Sequence, residues 1–164
     1  MASDRYCVDI KIGGEITEEG ISELWPLVLN AMVGWGWDEC YQESQVEEYV
    51  QYVRETAKDG IAFELYDSQG NHATFEEIAK FCQKAGLTYC IHEEAYGELA
   101  EDFKWWKPGM DEETDVLAAA GDPMLDVARI EKLLTLGDRE LRIALTNIVT
   151  ESKLPVIPAL TIKE

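Results

Sequence analysis

Residues 6–12 (YCVDIKI) alternate in polarity. Val8, Ile10 and Ile12 point one way and Cys7, Asp9 and Lys11 the other, which predicts a half-buried strand. Gly13-Gly14 is expected to end it. Thr17 then caps a helix carrying Ile21, Leu24, Leu27, Val28 and Ala31 at helical spacing. Pro26 falls inside that pattern and predicts a kink or a split. After a break at Gly34-Trp35-Gly36-Trp37, Ser44 and Glu47 match a capping box. They open a second helix carrying Val46, Tyr49, Val50 and Val53 and stopping at Asp59-Gly60. Residues 61–66 read as a strand and residues 67–71 (DSQGN) as a turn. Thr74 with Glu77 opens a third helix, with Phe75, Ile78, Ala79, Phe81 and Cys82 inward and Gly86 closing it. Residues 87–92 are a third strand.

Residues 93–114 are acidic and aromatic and hold Pro108-Gly109. They predict a long loop with one short strand near residues 103–106; residues 116–119 form another. Asp122-Pro123 reads as a helix start, with proline at the first helical position. That helix uses Val127, Ile130 and Leu134 as its apolar positions and ends near Gly137. Asp138 caps a last helix carrying Leu141, Ala144, Leu145 and Ile148. The tail from Lys153 is extended, because Pro155 and Pro158 forbid helix. The fold class is α+β: one mixed sheet of about 4–5 strands packed with helices, plus a C-terminal helical pair. One domain over residues 1–164 is expected. It comprises an acidic sheet-containing part (1–114), a helical part (115–152) and the extended tail (153–164).

Charge changes this picture most. The 164 residues hold 33 acids against 14 bases, a net charge of −19. A chain so charged is repelled by nucleic acid and by anionic membranes, and favours basic partners. Residues 1–114 carry nearly all of the excess and residues 115–164 are close to neutral, so the acidic surface is expected to be one-sided. The apolar content, 46%, excludes a disordered acidic tail. The start, MASDRY, lacks a basic head and apolar core, so a cytoplasmic location is expected. Cys7, Cys40, Cys82 and Cys90 form no CxxC pair, which points to reduced, buried thiols.

Chemistry is sparse. His72 reads as a solvated loop residue. Cys90 and His92 share a strand face, as a nucleophile and its base or two zinc ligands would, but no third member is in sight. A core cysteine beside an edge histidine is the simpler reading. Residues 67–78 fail the calcium-loop pattern where His72 and Ile78 stand. The glycines make no phosphate cradle, and the sequence nominates no cofactor and no metal.

Two features suggest binding. Lys104-Trp105-Trp106-Lys107 is the aromatic-and-basic patch of an acidic stretch; in a strand its indoles point to opposite faces, so Trp105 or Trp106 is the candidate for an exposed anchor, the alternative being a lid over the core edge with both rings buried and their N–H groups bonded. Trp35 and Trp37 could form a second platform, with core packing the alternative. The acids cluster as Asp38, Glu39, Glu43, Glu47 and Glu48, and again as Glu93, Glu94, Glu98, Glu101 and Asp102. On a helix, acids three or four apart stand ~5–6 Å from each other, of the order of neighbouring phosphates. In size and charge the chain resembles the small acidic inhibitors of phages and mobile elements, such as anti-CRISPR and anti-restriction proteins. The expectation is a non-enzymatic, nucleic-acid-mimicking protein docking on a basic, nucleic-acid-binding partner. The alternatives are a small cytosolic enzyme using Cys90 and His92, or an oligomeric adaptor whose tail adds a strand to a sheet.

Overall fold

The alternating start of the chain becomes the hub of the sheet. In the computed structural model, residues 6–94, 100–119 and 122–163 are described. β1 (Tyr6–Thr17) pairs antiparallel with β2 (Phe63–Gly70) on one side and β3 (Thr88–Glu93) on the other. Beyond β3 the sheet continues antiparallel through β4 (Glu101–Trp106), β5 (Thr114–Ala119) and β6 (Asp122–Met124). A last strand, β7 (Leu160–Lys163), runs parallel to the far end of β1. The class is α+β, with a seven-stranded sheet in place of the four or five strands expected.

The additional strands have identifiable causes. Asp122-Pro123 does not start a helix. Pro123 pairs with Ala118 in an edge strand, where a missing N–H is tolerated. The helix begins later, capped by Asp126, whose carboxylate accepts from Arg129 N at 2.7 Å. Gly13-Gly14 does not end β1 either. A Cβ at Gly13 would collide with the Pro158 carbonyl, and Gly14 has a φ of 112°, which disfavours a side chain. The glycines let the tail come alongside, and β1 changes partner from β2 to β7 there; Gly14 N donates to Ala159 O at 3.2 Å. The short strand expected near residues 103–106 is β4, two residues longer at its start and interior to the sheet between β3 and β5.

Three helices cover one face of this sheet. α1 (Glu18–Ala31) starts as expected, with Thr17 Oγ1 accepting from Gly20 N at 3.0 Å. It runs unbroken through Pro26, which lies on the exposed side, where water can bond the freed carbonyl. α2 (Val46–Asp59) follows a 3₁₀ turn, and Gln45, not the expected Ser44 box, closes the start by accepting from Gln42 N at 2.8 Å. Before α3 (Glu76–Ala85) the box is likewise shifted. Asn71 caps a 3₁₀ turn by accepting from Ala73 N, and Thr74 Oγ1 accepts from Asn71 N. β2 therefore continues to Gly70 through residues expected to turn. The main core joins these helices to Val8, Ile10, Ile12, Phe63, Leu65, Tyr89 and Ile91. A smaller cluster of Cys90, Trp105 and Val116 lies on the other face, against Phe103, Met110 and Ile157. The final helices, α4 (Val127–Leu134) and α5 (Asp138–Glu151), contain no buried residue.

Candidate functional site

Strand alternation gathers carboxylates and both histidines at one end of the sheet. Asp9 lies opposite His92 across the β1–β3 pair, and His92 opposite Phe103 across β3–β4, so the three side chains share one row. His92 Nδ1 is 3.2 Å from Asp9 Oδ1 and its Nε2 is 3.4 Å from Glu101 Oε2. The imidazole stacks on Phe103 at 4.4 Å between centroids. Burial alone would lower the His92 pKa, but the Asp9 hydrogen bond and charge, with Glu101, outweigh it and hold it above its ordinary value. On the opposite face Glu93 pairs with Asp102. His72 reaches between them, with Nε2 3.5 Å from Glu93 and 3.2 Å from Asp102. His72 is thus a half-buried clamp and not the solvated loop residue expected, because the 3₁₀ turn before α3 packs it onto β3 and β4.

Acids distant in sequence converge at this same end. Glu94 N donates to Cys7 O at 2.9 Å. An isolated bridge between Gly34 and Tyr66 brings the 34–41 loop onto β2, and Trp37 packs on Tyr66 at 4.9 Å. Burial raises the Cys7 thiol pKa, and the charges of Glu94, Asp38 and Asp67 raise it further. Those three carboxylates come from three separate segments. Together with Asp9, Glu93, Glu101 and Asp102 they form an anionic end whose ion pairs, among the described residues, go to His72 and His92 alone. The two expected clusters therefore differ in kind. Asp38, Glu39, Glu43, Glu47 and Glu48 are exposed and make no ion pair among the described residues. Glu47 and Glu48 also sit in the first turn of α2, where acids suit the helix dipole. Glu93, Glu101 and Asp102 are half-buried and engaged with histidine, Glu94 is exposed, and Glu98 lies outside the described residues. Asp9 and Asp67 were not singled out from the sequence; only the strand pairings place them here.

Of the two tryptophan readings, the buried one holds and the exposed anchor is corrected. Trp105 is 7% exposed and Trp106 9%, so neither is an exposed anchor. An interior strand has neighbours over both faces. Trp106 enters the main core, donating from Nε1 to Met110 O at 3.0 Å, and Trp105 packs with Cys90 and Val116 behind the sheet. The Trp105 indole N–H has no partner among the described residues. Trp35 is partly exposed against Tyr41, at 4.7 Å between centroids. All four cysteines are free thiols. Burial, with Asp9 nearby, pushes the Cys90 thiol up to about 12, and its strand neighbour His92 is held by two carboxylates. That is the reverse of an activated nucleophile. Among the described residues no group of three or more His, Cys, Asp or Glu could hold a metal ion, and no helix is long and apolar enough to cross a membrane.

The C-terminal helices carry an apolar stripe that the chain leaves uncovered. Val127, Ile130 and Leu134, the apolar positions expected of this helix, are all exposed, Val127 by 71% and Leu134 by 74%. Val149 is 58% exposed. A cavity of about 350 Å³ opens between β5–β6 and the two helices, lined by Leu117, Met124, Leu125, Ile148 and Val149 among others. Helical spacing gave the stripe correctly, but not what covers it. Comparisons of the chain with protein-family models, with curated proteins and with solved structures return no match.

Proposed function

We propose that this chain is a non-enzymatic binding protein that presents its anionic sheet end to a basic partner in the cytoplasm. The partner class that fits is a nucleic-acid-handling protein, with the chain acting as an inhibitor by standing in for the nucleic acid. The observation that carries this reading is the convergence of Asp38, Asp67 and Glu94 on Cys7, beside four further carboxylates whose side-chain partners of basic type, among the described residues, are His72 and His92. Like charges gathered so closely oppose folding, and a basic groove relieves that repulsion on contact. A polyanion that replaces nucleic acid in such a groove also releases the same small ions, which makes binding steeply salt-dependent.

The test is capture of a partner on the immobilised chain at low and high salt, with nucleic acid as competitor. A basic partner held at low salt should be shed at high salt and displaced by nucleic acid. Reversing Asp38, Asp67 and Glu94 to lysine should weaken binding by at least tenfold, about 1.4 kcal/mol. Reversing Glu43, Glu47 and Glu48 tests whether the start of α2 shares in the contact. Unaltered binding after both triple reversals would sink the acidic-face reading.

A further inference from the structure

We propose that two copies of this chain associate through α4 and α5, helical pair against helical pair, in a four-helix arrangement. Neither helix buries a residue within the chain. Helices this short are marginal in water unless an apolar face is covered, and α4 has only eight residues. The apolar positions form more than one stripe. Val127, Ile130 and Leu134 follow one face of α4 at i, i+3 and i+7, and all are exposed. On α5, Leu141, Ala144 and Ile148 are half-buried, while Leu145 and Val149, a turn apart, are exposed. One stripe serves the neighbouring helix of the same chain and one is left for a helix outside it, which is the pattern of a bundle helix.

Charge identifies the occupant as a second copy. Residues 1–114 hold 25 acids and 8 bases, so twin chains meeting there repel. Residues 125–153 hold five of each, interspersed along the sequence, so this surface can face itself with opposite charges opposed. A basic partner is drawn instead to the sheet end, and an acidic one is turned away by the rest of the molecule. A two-fold contact uses the same residues on both sides, so one self-complementary apolar surface suffices. The inference does not depend on the proposed function, and the two are separated by salt. Screening relieves the repulsion between two acidic chains and strengthens the dimer, whereas it weakens docking on a basic partner.

Sedimentation velocity on the full chain over a range of concentrations is the test. The expected result is a monomer–dimer equilibrium that shifts toward dimer as salt rises. Leu134→Glu with Val149→Glu should raise the dissociation constant by at least ~100-fold, as expected for charges forced into an interface centre. The near-ultraviolet dichroism of the tryptophans should not change. Met32→Glu, exposed at the far end of α1, should leave the dimer as it is. In the unmodified chain, hydrogen exchange should slow in α4 and α5 as concentration rises, while the amides of β1 and β3 stay constant. A monomer at every concentration overturns the proposal. So does a dimer that ignores the double substitution, one broken by Met32→Glu, or protection gained elsewhere.

Discussion

His92 carries a charge set by its neighbours. Because its folded pKa lies above the unperturbed value of about 6.5, it stabilises the fold fully below that pH, and the contribution is lost as pH rises through the folded value. Asp9→Asn should therefore move the His92 titration downward, as followed by NMR of the ring proton, and flatten the pH dependence of stability above about pH 6.5. Cys7 reports on the acidic end in the same spirit. Neutralising Asp38, Asp67 and Glu94 as the amides should lower its pKa and speed its reaction with a disulfide reagent at pH 7.5, leaving Cys82 and Cys90 protected until unfolding. An unchanged Cys7 rate would mean that those acids do not meet there. The indoles separate in a third way. Trp106→Phe removes a hydrogen bond and Trp105→Phe does not, so the former should cost ~1 kcal/mol more in urea unfolding. From the sequence, Asp9 and Lys11 were alike, two polar residues on one strand face. Only pairing with His92 on one and Glu64 on the other makes the first a buried clamp and the second a surface ion pair.

Elements whose signals are local were legible. The alternation of β1, the Thr17 cap, the ends of α2 and α3 at Gly60 and Gly86, and the amphipathic faces of α1 to α3 all follow from residues a few positions apart. Elements defined by a distant partner were not. β4 shows in sequence as a short strand, but its interior place is decided only by β3 and β5 on either side. The glycines of β1 look like a stop until residues 158–163 arrive beside them. Likewise α4 and α5 show their apolar stripes in sequence, but a stripe does not say whether its cover belongs to the same chain. Gly13→Ala tests the glycine reading. The added methyl strikes the Pro158 carbonyl, so unfolding in urea should show a loss of ~1–3 kcal/mol, and limited proteolysis should cut the tail while the body survives. A tail as resistant as before would show that the tail yields without cost.

Over the whole molecule, net charge and topology pull in different directions. A formal charge of −19 works against compactness, so the melting temperature should rise between low salt and ~0.5 M sodium chloride, where the Debye length shrinks to a few ångströms. A melting temperature indifferent to salt would place the acids far enough apart not to feel each other. The seam between β1 and β7 constrains a different quantity, time. Thr161 Oγ1 meets Gly14 O across 147 residues of chain. At ~5–20 residues per second the ribosome needs on the order of ten seconds to make the partner that the far half of β1 waits for. For that interval the growing chain holds a hub strand with half its edge open. Of the pairings of β1, the one with β7 therefore forms last in synthesis, and until residues 160–163 are made Gly14 to Thr17 lack their parallel partner.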